Sequence, residues 1–398
     1  MFPARIAIIG GGPAGALAAK ELARAGRHVL LFDEKLAWEK PCGGGLTDKA
    51  LLRWGFLHQA AGECNWISNC ELISPGGRRV NFRLDRQIAI FSRLTLNGLL
   101  LDHARRAGAQ LIRERIVQID GCPGQWSLKS TQSTYRAEFV LLAAGARTAF
   151  RGQFSAPLGQ EDFMIAVGYY IPGTRHTVQV KFVKGLHGYI WIFPRTDHFS
   201  AGICGRMQEK STAELREFLD SCLPEFGLTL ENARLYAHII PSLRATTLEN
   251  TAYSGDGWAM VGDTAGFVDA VTGEGLFYAL RSAELLSQSL LSNTPESYPL
   301  LVRRDFLPEL VHAARIADHF YSGDWMGKSV LERMVQLTAH SPRFRDLMRD
   351  LFAGSQDYSN LKRRVYHSLP RIAAEALVST LWTAEKSADR FPDAHEAT

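Results

Sequence analysis

The stretch RIAIIGGGPAGALAAKELARAGRHVLLFDEK, Arg5 to Lys35, decides the fold. Ile6, Ile8 and Ile9 make a short apolar run of the kind that forms a buried strand. The segment ALAAKELARAG has helical composition and stops at Gly26, and HVLLF is a second apolar run. Between the first strand and the helix, Gly10, Gly12 and Gly15 stand in GxGxxG spacing. In a strand–turn–helix unit each has a task. Gly10 permits the tight turn, Gly12 lets a pyrophosphate approach the backbone, and Gly15 lets helix and strand pack closely. The helix N-terminus then faces the phosphates. Asp33 ends the second strand, where a carboxylate accepts hydrogen bonds from ribose hydroxyls; Glu34 beside it reads as a solvated charge. The glycines alone are a weak signal. With strand, helix, second strand and terminal acid in order, they indicate a dinucleotide-binding unit.

The rest of the composition narrows the class. A chain of 398 residues is long for one core, so two or three sub-structures are expected. A formal charge of +4 is too small to argue for nucleic acid, and 46% hydrophobic with 22% charged residues is ordinary for a globular protein. The six cysteines show no CxxC pairing, so no metal site is expected and the thiols read as reduced. The first apolar run is too short for a leader, and no stretch is long and apolar enough to span a bilayer. The expectation is a cytoplasmic protein, with association at the inner membrane face left open.

Far downstream, GWAMVGDTAGFVDAVTGEGLFYALRSAELL gives a short strand at Trp258–Val261, then Gly262-Asp263, then an amphipathic helix from Gly275. This stretch resembles the GD motif of FAD-dependent oxidoreductases, which implies that Asp263 holds the ribityl chain and that the helix points its N-terminus at the flavin. Its bland alternative is a strand, a turn and a helix cap. FSRLTLNGLLLDHARRAG resembles the segment of these enzymes in which an arginine, here Arg93, begins a helix near the FAD. EFVLLAAGARTAFR resembles the ADG segment of flavin hydroxylases, except that Ala144 stands where an aspartate is common. No second strand–GxGxxG–helix unit exists, so a dedicated NAD(P)H domain is not expected, and the electron donor, NAD(P)H or ferredoxin, stays open.

Between these motifs the pattern changes to period two: TVQVKFV, GYIWIFP, FSAGICG, with a hairpin turn at Pro75-Gly76-Gly77. An antiparallel sheet is expected. On GYIWIFP, Tyr189, Trp191 and Phe193 share one face and Ile190 and Ile192 the other, so both faces are covered. The predicted fold class is α/β, a Rossmann-type FAD-binding domain with an inserted antiparallel sheet domain and a C-terminal helical region. The expected boundaries are 1–64, 91–151 and 251–292 for FAD binding, 65–90 and 152–250 for the sheet domain, and 293–398 for the helices.

The stretch KPCGGGLT, Lys40 to Thr47, puts three glycines in a row, at an entropic cost that implies a close approach to the backbone. GxGxxG with Asp33, KPCGGGLT, YIWIFP and GDTAGFVDAVTGEG, in that order over the first 300 residues, resemble the geranylgeranyl reductase family of flavoproteins. The resemblance implies a reduced FAD that hydrogenates carbon–carbon double bonds of polyprenyl chains. It places Cys42, Gly43, Gly44 and Gly45 beside the flavin, and Tyr189, Trp191 and Phe193 against the prenyl tail. Gly273, Glu274 and Gly275 fall near the flavin's pyrimidine edge, and Ala270 replaces a usual proline. Cys42 is the candidate proton donor, since an ordinary thiol is mostly protonated at neutral pH; its rival role is simply a small residue that fits.

Two other functions remain: a monooxygenase or halogenase acting on an aromatic, whose WxWxIP motif Tyr189–Pro194 matches in part, and a non-catalytic flavin-binding module. Beyond Ser292 the pattern is helical without a nameable motif. Arg343, Arg345 and Arg349, and Lys362, Arg363 and Arg364, are either a solvated helical face or a peripheral membrane contact. No nucleic-acid partner is expected, the oligomeric state is open with a monomer as default, and the tail DRFPDAHEAT reads as frayed.

Overall fold

The apolar runs at Arg5–Ile9 and His28–Phe32 pair in parallel, and the chain builds outward from them. The computed structural model describes residues 5–375 apart from 326, 356, 362, 366, 369, 373 and 374 and the side chains of 59 and 61. The expectations for Lys362 and for the tail from 389 onward therefore lie outside the described residues.

A six-stranded sheet runs in the order Ser254–Gly255, Trp258–Met260, Phe139–Leu142, Arg5–Ile9, His28–Phe32, Gln110–Ile112. Its pairs are parallel except at the first, a short antiparallel edge. The Pro13–Arg24 helix, Ala-rich and buried along most of its length, packs between the helices Arg93–Arg106 and Leu276–Leu291. These strands read as unbroken apolar runs because helices shield them from water.

An eight-stranded sheet runs Arg234–Pro241, Phe163–Pro172, His198–Arg206, Tyr189–Pro194, Thr177–Phe182, Cys64–Ile73, Arg79–Phe91, Gly45–Leu46. It is mixed rather than purely antiparallel: Thr177–Phe182 lies parallel to Cys64–Ile73. Those two strands arrive on separate excursions of the chain, with Gln110–Ile112 and Phe139–Leu142 of the six-stranded sheet between them in sequence. No hairpin forces their direction. The sheet also takes Gly45–Leu46 as its edge strand, drawn from the glycine-rich loop. On one face Ile190, Ile192 and Ile203 pack under the Thr212–Cys222 helix with Leu215 and Leu219. The other face looks into a cavity.

One element went unread in the sequence, a three-stranded meander at Ile116–Cys122, Gln125–Ser130 and Thr134–Ala137. After Ser292 come helices Tyr298–Asp305, Leu307–Ser322, Val330–His340 and Pro342–Ala353, with a two-residue hairpin at Asp324–Trp325 and Lys328–Ser329. Val330–His340 and Pro342–Ala353 lie across the Arg79–Phe91 strand. Several basic side chains there are engaged within the fold, while Arg363 is exposed. Arg345 donates to the carbonyls of Thr338 and Ala339 at 3.0 and 2.8 Å, Arg349 pairs with Asp346 at 2.9 Å, and Arg364 pairs with Asp350. Among the described residues no helix is long and apolar enough to cross a membrane.

Candidate active site

The phosphate turn divides its three glycines by cause. Gly10 has φ +108°, and a Cβ there would lie 2.3 Å from the Ala143 carbonyl oxygen; one at Gly15 would lie 2.0 Å from the Gly10 oxygen. Packing alone fixes these two. A Cβ at Gly12 would meet nothing within 4 Å, so the backbone there faces open space. Gly12 also N-caps the Pro13–Arg24 helix without a side-chain cap, leaving its first amides free for an anion. Asp33 Oδ2 accepts the Gly11 amide at 2.8 Å, and Oδ1 accepts the amides of Lys35 and Leu36 at 2.8 Å each. Those bonds hold the carboxylate beside the turn.

From Gly12 a continuous cavity of about 300 Å³ runs between the two sheets to the C-terminal helices. At the Gly12 end Lys40 Nζ meets Asp263 Oδ2 at 3.0 Å. Burial pushes the Asp263 carboxyl up, but the Lys40 ammonium outweighs it and holds the group below its usual range. Burial, and then the Lys40 charge, push His238 down to about 3, so its imidazole is neutral. Arg93 opens its helix almost wholly buried, donating to Asn97 at 3.3 Å. Arg93 Nε and His238 Nε2 are buried without a protein partner. The Leu276–Leu291 helix starts after Gly275, again with no side-chain cap. Two uncapped helix N-termini, unpartnered buried donors and open space at Gly12 fit an FAD laid along this end.

The glycine-rich loop answers its own question. A Cβ at Gly43 would lie 2.7 Å from Phe193 Cδ2, and one at Gly44 (φ +85°) would lie 2.0 Å from the Phe91 carbonyl oxygen. The loop is bare because it presses on the aromatic strand and its neighbour. Half-buried Cys42 lines the cavity, and its Sγ accepts the Gly44 amide at 3.3 Å. The Cys42 carbonyl accepts from Arg195 Nη2 at 2.7 Å and Ser200 Oγ at 2.9 Å. Arg195 is fully buried, and its Nη1 donates to Glu39 Oε1 at 2.6 Å; Glu39 in turn accepts the Arg93 amide at 2.9 Å. Burial pushes the Glu39 carboxyl up, but the Arg195 charge and the hydrogen bonds hold it below its usual range.

Strand register explains how Trp191 fits. Across the sheet it stands opposite Gly202, which stands opposite Gly168, which stands opposite Tyr236. A Cβ at Gly202 would lie 2.3 Å from the Trp191 ring, so the indole occupies the space a side chain would take. Its Nε1 donates to Ser200 Oγ at 3.3 Å. The Tyr189 hydroxyl donates to the Thr272 carbonyl, and Tyr321 from the cap does the same to Val271. Both therefore brace the loop that carries Gly273, Glu274 and Gly275. Burial and then the nearby Asp269 charge push Glu274 up to about 7, while its Oε1 accepts from Thr47 Oγ1 at 3.1 Å. The cavity's far end is closed by Phe182, Met334, Met348, Leu351 and Phe352.

A family model described as pyridine nucleotide-disulphide oxidoreductase matches residues 4–163, the part holding the first nucleotide turn. Curated relatives match over most of their length. Geranylgeranyl diphosphate reductase of Synechocystis is 24% identical over 369 residues, 84% of this chain and 86% of that protein. Digeranylgeranylglycerophospholipid reductase of Methanoculleus marisnigri is 28% identical over 308 residues, 71% and 75% of the two chains. The chain is an FAD-dependent oxidoreductase. A geranylgeranyl bacteriochlorophyll reductase-like protein of Thermoplasma acidophilum shares the fold, with TM-score 0.75 at 18% identity over 91% of this chain and 98% of that one.

The oxidoreductase gathers Gly12, Cys42, Gly43, Gly44, Gly45, Arg93, Gly262 and Asp263, and also Gly273, Glu274, Gly275, Tyr189, Trp191 and Phe193, on one cavity. Gly10, Gly15 and Asp33 shape its nucleotide end from outside the lining. Sequence reasoning missed Lys40, Glu39, Arg195, Ser200 and His238. Arg195 did leave a signal: it follows YIWIFP directly, a charge at the end of a strand apolar on both faces.

Proposed function

We propose that this oxidoreductase hydrogenates carbon–carbon double bonds of a polyprenyl chain of the geranylgeranyl type. The cavity carries the reading: its nucleotide-binding end continues without a break into a pocket walled by aromatic and aliphatic side chains. Reduced flavin, when bound, supplies a hydride from N5 to one alkene carbon. Cys42 Sγ holds the proton that goes to the other carbon, and the Gly44 amide, already bonded to that sulfur, stabilises the thiolate left behind. Arg195 and Ser200 fix the Cys42 carbonyl, and so the position of the loop. Trp191 and Phe193 offer flat apolar surface that aligns the alkene and excludes water. The names of the two curated relatives point the same way.

The test is anaerobic. The holoenzyme is reduced with dithionite, mixed with geranylgeraniol, and followed by flavin absorbance. Reoxidation by the alkene without oxygen supports a reductase, and reoxidation only on admitting oxygen supports a monooxygenase instead. Cys42→Ala should slow the alkene step by about 100-fold or more while flavin reduction stays near normal. Equal rates in the variant and the parent would remove Cys42 from the reaction.

A further inference from the structure

The loop at 269–275 joins the two ends of the cavity. A Cβ at Gly275 would lie 3.5 Å from Asp263 Oδ1, and one at Gly273 would lie 2.8 Å from the Tyr189 hydroxyl. Glu274, between them, lines the cavity where the nucleotide end gives way to the aromatic wall. With the phosphates at Gly12 and the alkene against Trp191, the reacting ring of the cofactor belongs at that junction. The reaction proposed above uses Cys42 there and leaves Glu274 without a task.

Glu274 is poorly provided for as an anion. Among the described residues its carboxyl has one hydrogen bond, from Thr47 Oγ1 at 3.1 Å, and no ion pair. On its own loop, buried Asp269 adds a like charge. From the helix Asp48–Arg53, Lys49 is the opposing cation, but its Nζ stands over the Phe277 ring at 4.4 Å. Tyr278, Tyr358 and Tyr189 present phenols kept neutral by burial and by Asp269, and Glu309 and Asp357 add further negative charge against Tyr278. Burial and then Asp269 hold the Glu274 carboxyl up at about 7. In the oxidised protein it thus carries a proton below that pH and is ionised above it.

Two electrons that enter with one proton leave one net negative charge at the junction. Beside a buried carboxylate, that charge raises the carboxyl's affinity for a proton further. We propose that Glu274 takes up a proton when the bound cofactor is reduced and gives it up when the cofactor is reoxidised. The balance then closes within the cavity. Two electrons and two protons enter, one proton with the electron pair and one at Glu274. On reoxidation the pair and its proton leave as hydride to one alkene carbon, Cys42 supplies the proton of the other, and the Glu274 proton restores the Cys42 thiol. That last step rests on the prenyl-reductase reading above, whereas the uptake rests only on the cofactor's place in this cavity.

The test reads the midpoint potential of the holoenzyme from about pH 6 to about pH 9, by dithionite titration against a reference dye with no alkene present. Each proton taken up with two electrons changes the equilibrium constant tenfold per pH unit, or about 30 mV. Above about pH 7 the parent should take up one proton more per electron pair than Glu274→Gln, so its slope should be steeper by about 30 mV per pH unit. Near the acid end Glu274 holds its proton in both oxidation states, and the two slopes should agree. Thr47→Val removes the hydrogen bond that favours the carboxylate, so its slope should steepen at a higher pH than the parent's. Parallel lines for the parent and Glu274→Gln at every pH overturn the inference and leave the reductase reading intact. If Glu274→Gln holds no flavin, Thr47→Val decides: a higher break supports proton uptake at Glu274, and a break that is absent or unmoved overturns it. Slopes as expected in a protein that no prenyl alkene reoxidises would sink the reductase reading and keep the proton at Glu274.

Discussion

Gly43 offers a direct test of why the loop is bare. An alanine there places Cβ 2.7 Å from Phe193 Cδ2 and 3.0 Å from Cε2. Carbon atoms in contact settle at about 3.5–4.0 Å, so the ring must withdraw by roughly 1 Å. Overpacking of that size costs about 1–3 kcal/mol. The contact is with a side chain, so removing the ring should remove the cost: Gly43→Ala should be nearly neutral in a Phe193→Ala background. Gly44→Ala is the contrast. Its φ of +85° and its 2.0 Å approach to the Phe91 carbonyl are backbone constraints, and Phe193→Ala should not relieve them. The assay is urea denaturation of the holoproteins in the Gly43–Phe193 and Gly44–Phe193 cycles, with bound flavin measured per chain. A coupling of about 1–3 kcal/mol at Gly43 and none at Gly44 supports the packing account. If Gly43→Ala costs the same with and without the Phe193 ring, and flavin content falls equally in both, the glycine serves the cofactor and the packing account is wrong.

Three further outcomes follow from the site. Gly12→Val should yield mostly flavin-free protein, because its side chain fills the space left at the phosphate turn, and Asp263→Ala should do so by leaving Lys40 unpaired; full flavin content in both would contradict the FAD placement. Arg195→Met leaves Glu39 as a buried carboxylate without its cation and should destabilise by about 3–5 kcal/mol in urea melts, whereas a loss under 1 kcal/mol would show the pair to be dispensable. Glu274 faces Asp269, Lys49 and Thr47, and its folded-state pKa of about 7 exceeds the reference 4.5. Its contribution to stability is thus full below about 4.5 and lost as pH rises through about 7, roughly 3 kcal/mol in all. Glu274→Gln should flatten that decline in urea midpoints between pH 5 and 8, and an unchanged slope would assign the titration elsewhere.

Much of this was legible because it is local. The nucleotide turn shows in sequence because Gly10, Gly12 and Gly15 act on backbone a few residues away, and the alternation in GYIWIFP shows because a strand's faces follow its own period. What was not legible depends on partners distant in the chain. Nothing near Trp191 says that Gly202 clears its path, since that register is set by a strand pairing. The parallel pair inside the larger sheet was missed because period two is the same in either direction. The meander at 116–137 lies among exposed polar residues that alternate weakly. The helical pattern beyond Ser292 singles out no cavity residue, and only the packing of these helices over the Arg79–Phe91 strand turns Met334, Met348 and Phe352 into a cavity wall.

Glu39 shows why such distant partners matter to the chemistry. Its carboxylate accepts the amide of Arg93 at the head of one flavin-end helix, and it receives Arg195 from the end of the aromatic strand. Arg195 passes the constraint to the Cys42 carbonyl, which Ser200 also holds, and Ser200 receives the indole N–H of Trp191. One chain of hydrogen bonds thus runs from the head of the Arg93 helix through the glycine-rich loop to the aromatic strand. A buried ion pair is a weak source of stability, because desolvation offsets most of its attraction. Its value here is geometric. In the proposed reaction hydride and proton must reach adjacent carbons from the cofactor and from the loop, and a shift of about 1 Å between them would cost about 100-fold in rate. The network ties the loop to the Arg93 helix and the aromatic strand where no sequence motif spans them.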